Sequence, residues 1–198
     1  MNRLLIITTP YFFEGEARLI RRLLAEDVER LHIRKPTCER EELEKLLDAL
    51  PTDDYPRLVL HDHFEVARER ALGGIHLNIR NPKVPFFFKG SVSRSCHSLE
   101  EVTIHKPICD YVFLSPIFPS ISKEGYGEGF SLDTLREAEG IIDKKVIALG
   151  GINEKRIQKL KDIPFGGMAV LGAIWGKEPI HLTENQVSER FKRLQQWM

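Results

Sequence analysis

The chain has 198 residues, 42% hydrophobic and 29% charged, which suits one globular domain with a sizeable core. Lysine plus arginine and aspartate plus glutamate each number 29, so formal charge is zero and bulk electrostatics point to neither nucleic acid nor a membrane surface as partner. With no net charge any anion site must be a local one, and no stretch is long and apolar enough to span a bilayer.

Leu4–Thr8 reads as a first strand. Its apolar run is broken by Thr8, Thr9, Pro10 and Glu14, too soon for a secretory signal. Leu19, Ile20, Leu23, Leu24 and Val28 recur at helical spacing and predict a helix over Glu16–Val28. Leu31–Arg34 is a short second strand, followed by a helix over Glu41–Leu50. Arg57–Leu60 is the third strand and Phe64–Ala71 its helix. Gly74–Leu77 is the fourth, after which Pro82 and Pro85 predict an irregular connection. Gly90–Ser93 opens the fifth unit, and Ser98 with Glu101 has the spacing of a capping box. Tyr111–Leu114 is the sixth strand, with a helix over Leu132–Glu139. Val146–Leu149 with a helix over Arg156–Leu160 forms the seventh unit. Met168–Leu171 and a closing helix complete the eighth, and a second capping box, Thr183 with Gln186, starts the last helix toward Trp197.

Eight strands alternating with helices and uninterrupted by any linker predict a single α/β domain over residues 1–198, a small (β/α)8 barrel. An open doubly wound sheet is the competing arrangement. Cys38, Cys96 and Cys109 are odd in number and lack C-x-x-C spacing, so a reducing, cytoplasmic setting is expected.

In such a barrel the chemistry gathers where strands end. Gly150-Gly151 and Gly172 stand at the ends of the last two strands, where glycines let backbone N–H groups approach an anion. That pattern points to a phosphorylated small molecule, with ligand-free tight turns as the plain alternative. Arg34 ends the second strand and suits phosphate oxygens or, alternatively, an acidic neighbour. Lys35 follows it, but adjacent strand residues face opposite ways. His61-Asp62-His63 lacks zinc spacing. Asp62 suits magnesium, which needs few protein ligands, or it caps the helix through Phe64. Ser120, Ser122 and Lys123 lie on a loop containing Gly125, Gly127 and Gly129, able to close over a ligand. His76 and His97 read first as barrel-interior or hydrogen-bonded histidines.

Leu31-His-Ile-Arg34, Gly74-Ile-His-Leu77, Ser95-Cys-His-Ser98, Asp110–Pro119 with Ser120-x-Ser122-Lys123, and Leu149-Gly-Gly-Ile152 together resemble the thiamin phosphate synthase and thiazole tautomerase superfamily. The likeness runs from Leu4 to about Ile174. It implies an enzyme that joins hydroxymethylpyrimidine diphosphate to thiazole phosphate, releases pyrophosphate and uses Mg2+. On that resemblance Arg34 and Lys123 hold the diphosphate, with Lys35 a substitute for the lysine that Pro36 replaces. Asp62 and Asn81 stand at the metal-binding positions, and Ser95, His32 and His61 face the pyrimidine diphosphate. Ser120 and Ser122 bind the thiazole phosphate with Gly150, Gly151 and the backbone at Leu171-Gly172. Four positions depart from the synthase pattern: His32 for glutamine, His61 for asparagine, Asn81 for a second aspartate and Pro36 for lysine. The resemblance also admits a metal-free thiazole tautomerase with His97 or His32 as acid/base, and a non-catalytic thiamin or thiazole phosphate sensor. The expected partners are small phosphorylated thiamin precursors, and assembly into a homo-oligomer is left open.

Overall fold

The computed structural model describes residues 3–26, 28–119 and 129–198. Eight strands close into one parallel barrel in sequence order. They are β1 (Arg3–Ile7), β2 (Leu31–Ile33), β3 (Leu58–Leu60), β4 (Gly74–Leu77), β5 (Ser91–Cys96), β6 (Tyr111–Leu114), β7 (Val146–Leu149) and β8 (Gly167–Val170). The barrel closes where Leu4 pairs with Met168 and Ile6 with Val170. The open-sheet alternative is thereby excluded.

The helices are α1 (Glu16–Leu24), α2 (Arg40–Asp48), α3 (Phe64–Glu69), α4 (Leu99–His105), α5 (Leu132–Glu137), α6 (Glu154–Ile157), α7 (Gly172–Trp175) and α8 (Glu184–Gln195). None of the described helices is long and apolar enough to cross a membrane. The unbroken apolar runs of the strands follow from burial on both faces. Along β1, Leu4 and Ile6 turn outward into the layer beneath the helices, while Leu5 and Ile7 turn into the barrel. α1 buries Leu19, Ile20, Leu23 and Leu24 as its spacing predicts. It ends four residues early, yet Val28 is still fully buried beyond it.

Pro82 and Pro85 do stand in an irregular connection, since no helix separates β4 from β5. The Thr183–Gln186 capping box forms in full. The one at Ser98 forms only half: Ser98 Oγ accepts from Glu101 N at 3.1 Å, but the Glu101 carboxylate accepts from His97 N instead of Ser98 N. The fifth strand runs three residues further than expected, through Cys96. Its polar stretch Ser93-Arg-Ser95 hides the strand because Ser93 and Ser95 point into the barrel, where they bond His76, rather than into solvent.

Candidate functional site

Parallel strands put all their carboxyl ends at one mouth, so Arg34, Asp62, Asn81, Ser95, His97, Gly150, Gly151 and Gly172 share that end of the barrel. Ser120, Ser122 and Lys123, with Gly125 and Gly127, lie outside the described residues. At the foot of their loop, Phe130 N donates to Ile117 O at 3.2 Å.

Below the mouth, β2 to β6 carry a hydrogen-bonded array. His32 Nδ1 lies 3.0 Å from His61 Nε2, and His32 Nε2 lies 2.9 Å from the Tyr111 hydroxyl. His76 Nδ1 is 2.8 Å from Ser93 Oγ and its Nε2 is 2.8 Å from Ser95 Oγ. The His61 and His76 rings stack with centroids 4.2 Å apart, because the register sets them side by side at the ends of β3 and β4. His76 therefore is a barrel-interior histidine, as read from the sequence. Burial pushes His32 and His61 well below the usual imidazole range and His76 down to about 3, and the nearby cations Arg34 and Arg80 add to the effect at His61. All three are neutral hydrogen-bonding groups at physiological pH. Each offers a nitrogen within 4.8 Å of the others, the only such metal-capable cluster among the described residues. The nitrogens of His32 and His76 already have partners, and the same cations that repel a proton repel a metal ion.

Arg34 N donates to Thr8 Oγ1 at 3.0 Å, which fixes the backbone where β2 ends. Lys35, expected near the diphosphate, turns the other way. It is only 2% exposed, and its ammonium donates to Thr9 O at 3.1 Å, Tyr11 O at 2.7 Å and Glu16 Oε1 at 2.6 Å. Those bonds use all three of its donors and tie the β1–α1 connection to the barrel. Alternation along the strand is the cause: Arg34 inward leaves Lys35 outward, beneath α1.

Asp62 does not cap α3; the N-cap is His63, in the left-handed region at φ 53°. The carboxylate instead receives Arg80 Nε at 3.1 Å on Oδ1, Arg80 Nη2 at 3.2 Å on Oδ2, and Asn81 Nδ2 at 2.9 Å on Oδ1. Asn78 organises this corner: its Oδ1 accepts from the backbone of Arg80 and Asn81, and its Nδ2 donates to His61 O at 2.7 Å. The expected magnesium site does not fit these residues. Asn81 turns its amide nitrogen to Asp62 Oδ1 and His61 O, so it meets Asp62 as a donor and brings no second carboxylate, and a guanidinium already covers both oxygens of the carboxylate. The sequence reading gave no role to Arg80, Asn78, Ser93 or Tyr111. Arg80 was legible as a cation one residue before Asn81, whereas Ser93 and Tyr111 carried no signal before the register was known.

On the other side of the mouth, Gly150 and Gly151 adopt φ values of 101° and 63°. A Cβ at Gly150 would stand 2.9 Å from Pro116 Cα, and one at Gly151 would stand 2.9 Å from Pro119 O. Glycine is thus required by both conformation and crowding. The turn is latched to the exit of β6 by Ile117 N to Leu149 O at 2.8 Å and Phe118 N to Gly150 O at 3.2 Å. At Gly172 a Cβ would meet nothing within 4 Å, leaving open space beside the backbone that follows Leu171. His97 is exposed, and its Nδ1 lies 3.0 Å from Ser115 O. Since a carbonyl only accepts, Nδ1 carries the proton and Nε2 is the basic nitrogen.

Residues 4–174 match the family described as thiamine monophosphate synthase. A thiamine-phosphate synthase of Clostridium tetani is 30% identical over 136 residues, which span 65% of this chain and 65% of that protein. One of Archaeoglobus fulgidus is 26% identical over 157 residues, 77% of this chain and 74% of its own length. Among solved structures, a thiamine phosphate pyrophosphorylase from Bacteroides thetaiotaomicron superposes with a TM-score of 0.89 at 43% identity, covering 98% of this chain and 96% of its own.

Proposed function

The chain belongs to the thiamine monophosphate synthase family, and we propose that it couples hydroxymethylpyrimidine diphosphate to thiazole phosphate, releasing pyrophosphate. One observation carries this reading: a cationic, hydrogen-bonding half of the mouth, with Arg34 and the histidine array, faces a glycine-lined half at Gly150, Gly151 and Gly172. Two anionic substrates need two such grips.

In this reading the diphosphate lies against Arg34, whose planar fork matches phosphate oxygens, and the pyrimidine ring lies toward His32, His61 and Ser95. The thiazole phosphate rests on the backbone N–H groups around Gly150-Gly151 and Gly172, with Ser120 and Ser122 as further contacts from the loop, while Lys123 joins Arg34 on the diphosphate. The thiazole nitrogen lone pair attacks the pyrimidine methylene carbon. The bond from that carbon to the diphosphate oxygen breaks, and both its electrons leave on pyrophosphate. Fixed guanidinium charge stabilises that departing oxygen, and the barrel contributes orientation. No proton moves in the bond-forming step, which suits a wall of neutral histidines. Isomerisation of a thiazole carboxylate phosphate would need a general base near its working pH; the buried histidines lie far below that range, which removes His32 from that role and leaves it to the exposed His97.

The test supplies the purified protein with pyrimidine diphosphate and thiazole phosphate. Pyrophosphate and thiamin phosphate are expected in equal amounts. Isomerisation of thiazole carboxylate phosphate with no pyrophosphate would overturn the synthase in favour of a tautomerase. Binding without turnover of either would leave a sensor.

A further inference from the structure

We infer that Arg80 is a diphosphate-binding residue, and that its guanidinium, seated on Asp62, fills the role the resemblance assigns to magnesium. This rests on the synthase reading for its substrate, but the observations behind it are separate.

The first is the donor set. A magnesium ion needs near-octahedral oxygen ligation, with at least one or two carboxylates. Asp62 is the carboxylate at this corner, and its two oxygens accept two bonds from Arg80 and one from Asn81. The second is preorganisation. Arg80 leaves β4 on a backbone pinned by Asn78 Oδ1, which accepts from Arg80 N at 3.0 Å and Asn81 N at 3.2 Å. Asn78 is itself anchored to His61 O and His76 O. The guanidinium is therefore presented at a fixed place over the end of β3. The third is availability. The Arg80 side chain keeps 38% of its surface open while that of Asp62 keeps 12%. Its bonds to Asp62 use two of the five guanidinium N–H donors, leaving three for phosphate oxygens.

Charge balance leads to the same place. Two carboxylates and a divalent cation sum to zero, and so do one carboxylate and one guanidinium. Replacing the second aspartate by Asn81 and supplying Arg80 beside it preserves that sum without an ion. Both Arg34 and Arg80 stand near enough to His61 to act on it electrostatically. A divalent cation near them would meet two fixed positive charges with a single, already paired carboxylate to hold it.

The experiment has two arms, each using the full chain. In the first, titration with inorganic pyrophosphate is followed by calorimetry in EDTA and in excess Mg2+. Metal-free binding is expected, weakened roughly tenfold or more in Arg80→Ala and only partly restored in Arg80→Lys, which cannot make a fork. In the second, pyrophosphate release from the two substrates is compared with and without EDTA. Wild-type turnover is expected to change less than about twofold, while Arg80→Ala loses on the order of a hundredfold. Wild-type binding or turnover that vanishes in EDTA would overturn the inference, as would an Arg80→Ala variant that binds pyrophosphate normally. Metal-free, Arg80-dependent pyrophosphate binding in a protein that never turns over would uphold it and remove the synthase reading instead.

Discussion

The barrel encloses two unlike interiors. Along β6, β7, β8 and β1, the inward side chains Phe113, Ile147, Ala169, Leu5 and Ile7 pack on one another, and every one is nearly or fully buried. Along β2 to β5 the same inward positions hold His32, His61, His76, Ser93 and Ser95, joined by hydrogen bonds of 2.8 to 3.0 Å from His32 to His61 and from His76 to both serines. Tyr111 is the seam, with its ring in the apolar cluster and its hydroxyl on His32. The contrast teaches where stability and chemistry reside. The apolar half is held by packing, and at its mouth the Gly150-Gly151 turn presents backbone. The polar half must satisfy every buried group locally, because an unmet donor or acceptor there costs about 1–3 kcal/mol.

Three measurements sharpen or break this division. Arg34→Ala should lower kcat/KM for pyrophosphate release by roughly a hundred- to a thousandfold, or about 3–4 kcal/mol, while leaving the urea unfolding midpoint nearly unchanged. A large loss of stability with little loss of rate would mean that Arg34 serves the fold. Ile147→Ala, in the opposite half, should do the reverse. It removes a fully buried side chain and should cost about 3 kcal/mol of stability, with turnover per folded molecule kept within about threefold.

Of the two interiors, acidification should act on the polar one. His32, His61 and His76 have folded-state pKa values pushed below an unfolded value of about 6.5. Below that pH the unfolded chain takes up protons that the folded chain refuses. The stability is intact above about pH 6.5 and falls as pH drops toward the folded values, about 3 for His76. The slope is roughly 1.4 kcal/mol per pH unit for each such histidine. Chemical denaturation at pH 7.5 and 5.5 should show this loss, and His76→Gln should reduce it by about one histidine's share. A flat profile would mean that the array is open to water.

The positions that sequence reasoning misjudged fall mostly in the polar half. Tyr111–Leu114 and Val146–Leu149 were legible to the residue, because a strand buried on both faces writes itself as an unbroken apolar run. β5 was cut short, because Ser93 and Ser95 look like loop residues until His76 is set opposite them. Lys35 and Arg34 are equal as cations in the sequence, and only the fold separates a buried tie to Glu16 from a charge at the mouth. Asp62 was legible as an important carboxylate and Arg80 as a nearby cation, but their pairing was not.

The sequence by itself determined the barrel, the irregular β4–β5 connection, the glycine turn at the seventh strand and the family resemblance. These are properties of local periodicity, backbone freedom and motif order, each contained within a few consecutive residues. The tertiary structure alone decided which polar groups meet: His32 with His61 and Tyr111, His76 with two serines, Asp62 with Arg80. Those pairings join side chains up to 79 positions apart, as His32 and Tyr111 are, and depend on the register between strands. Register is set by the packing of the whole closed sheet, so no local reading of the chain contains it.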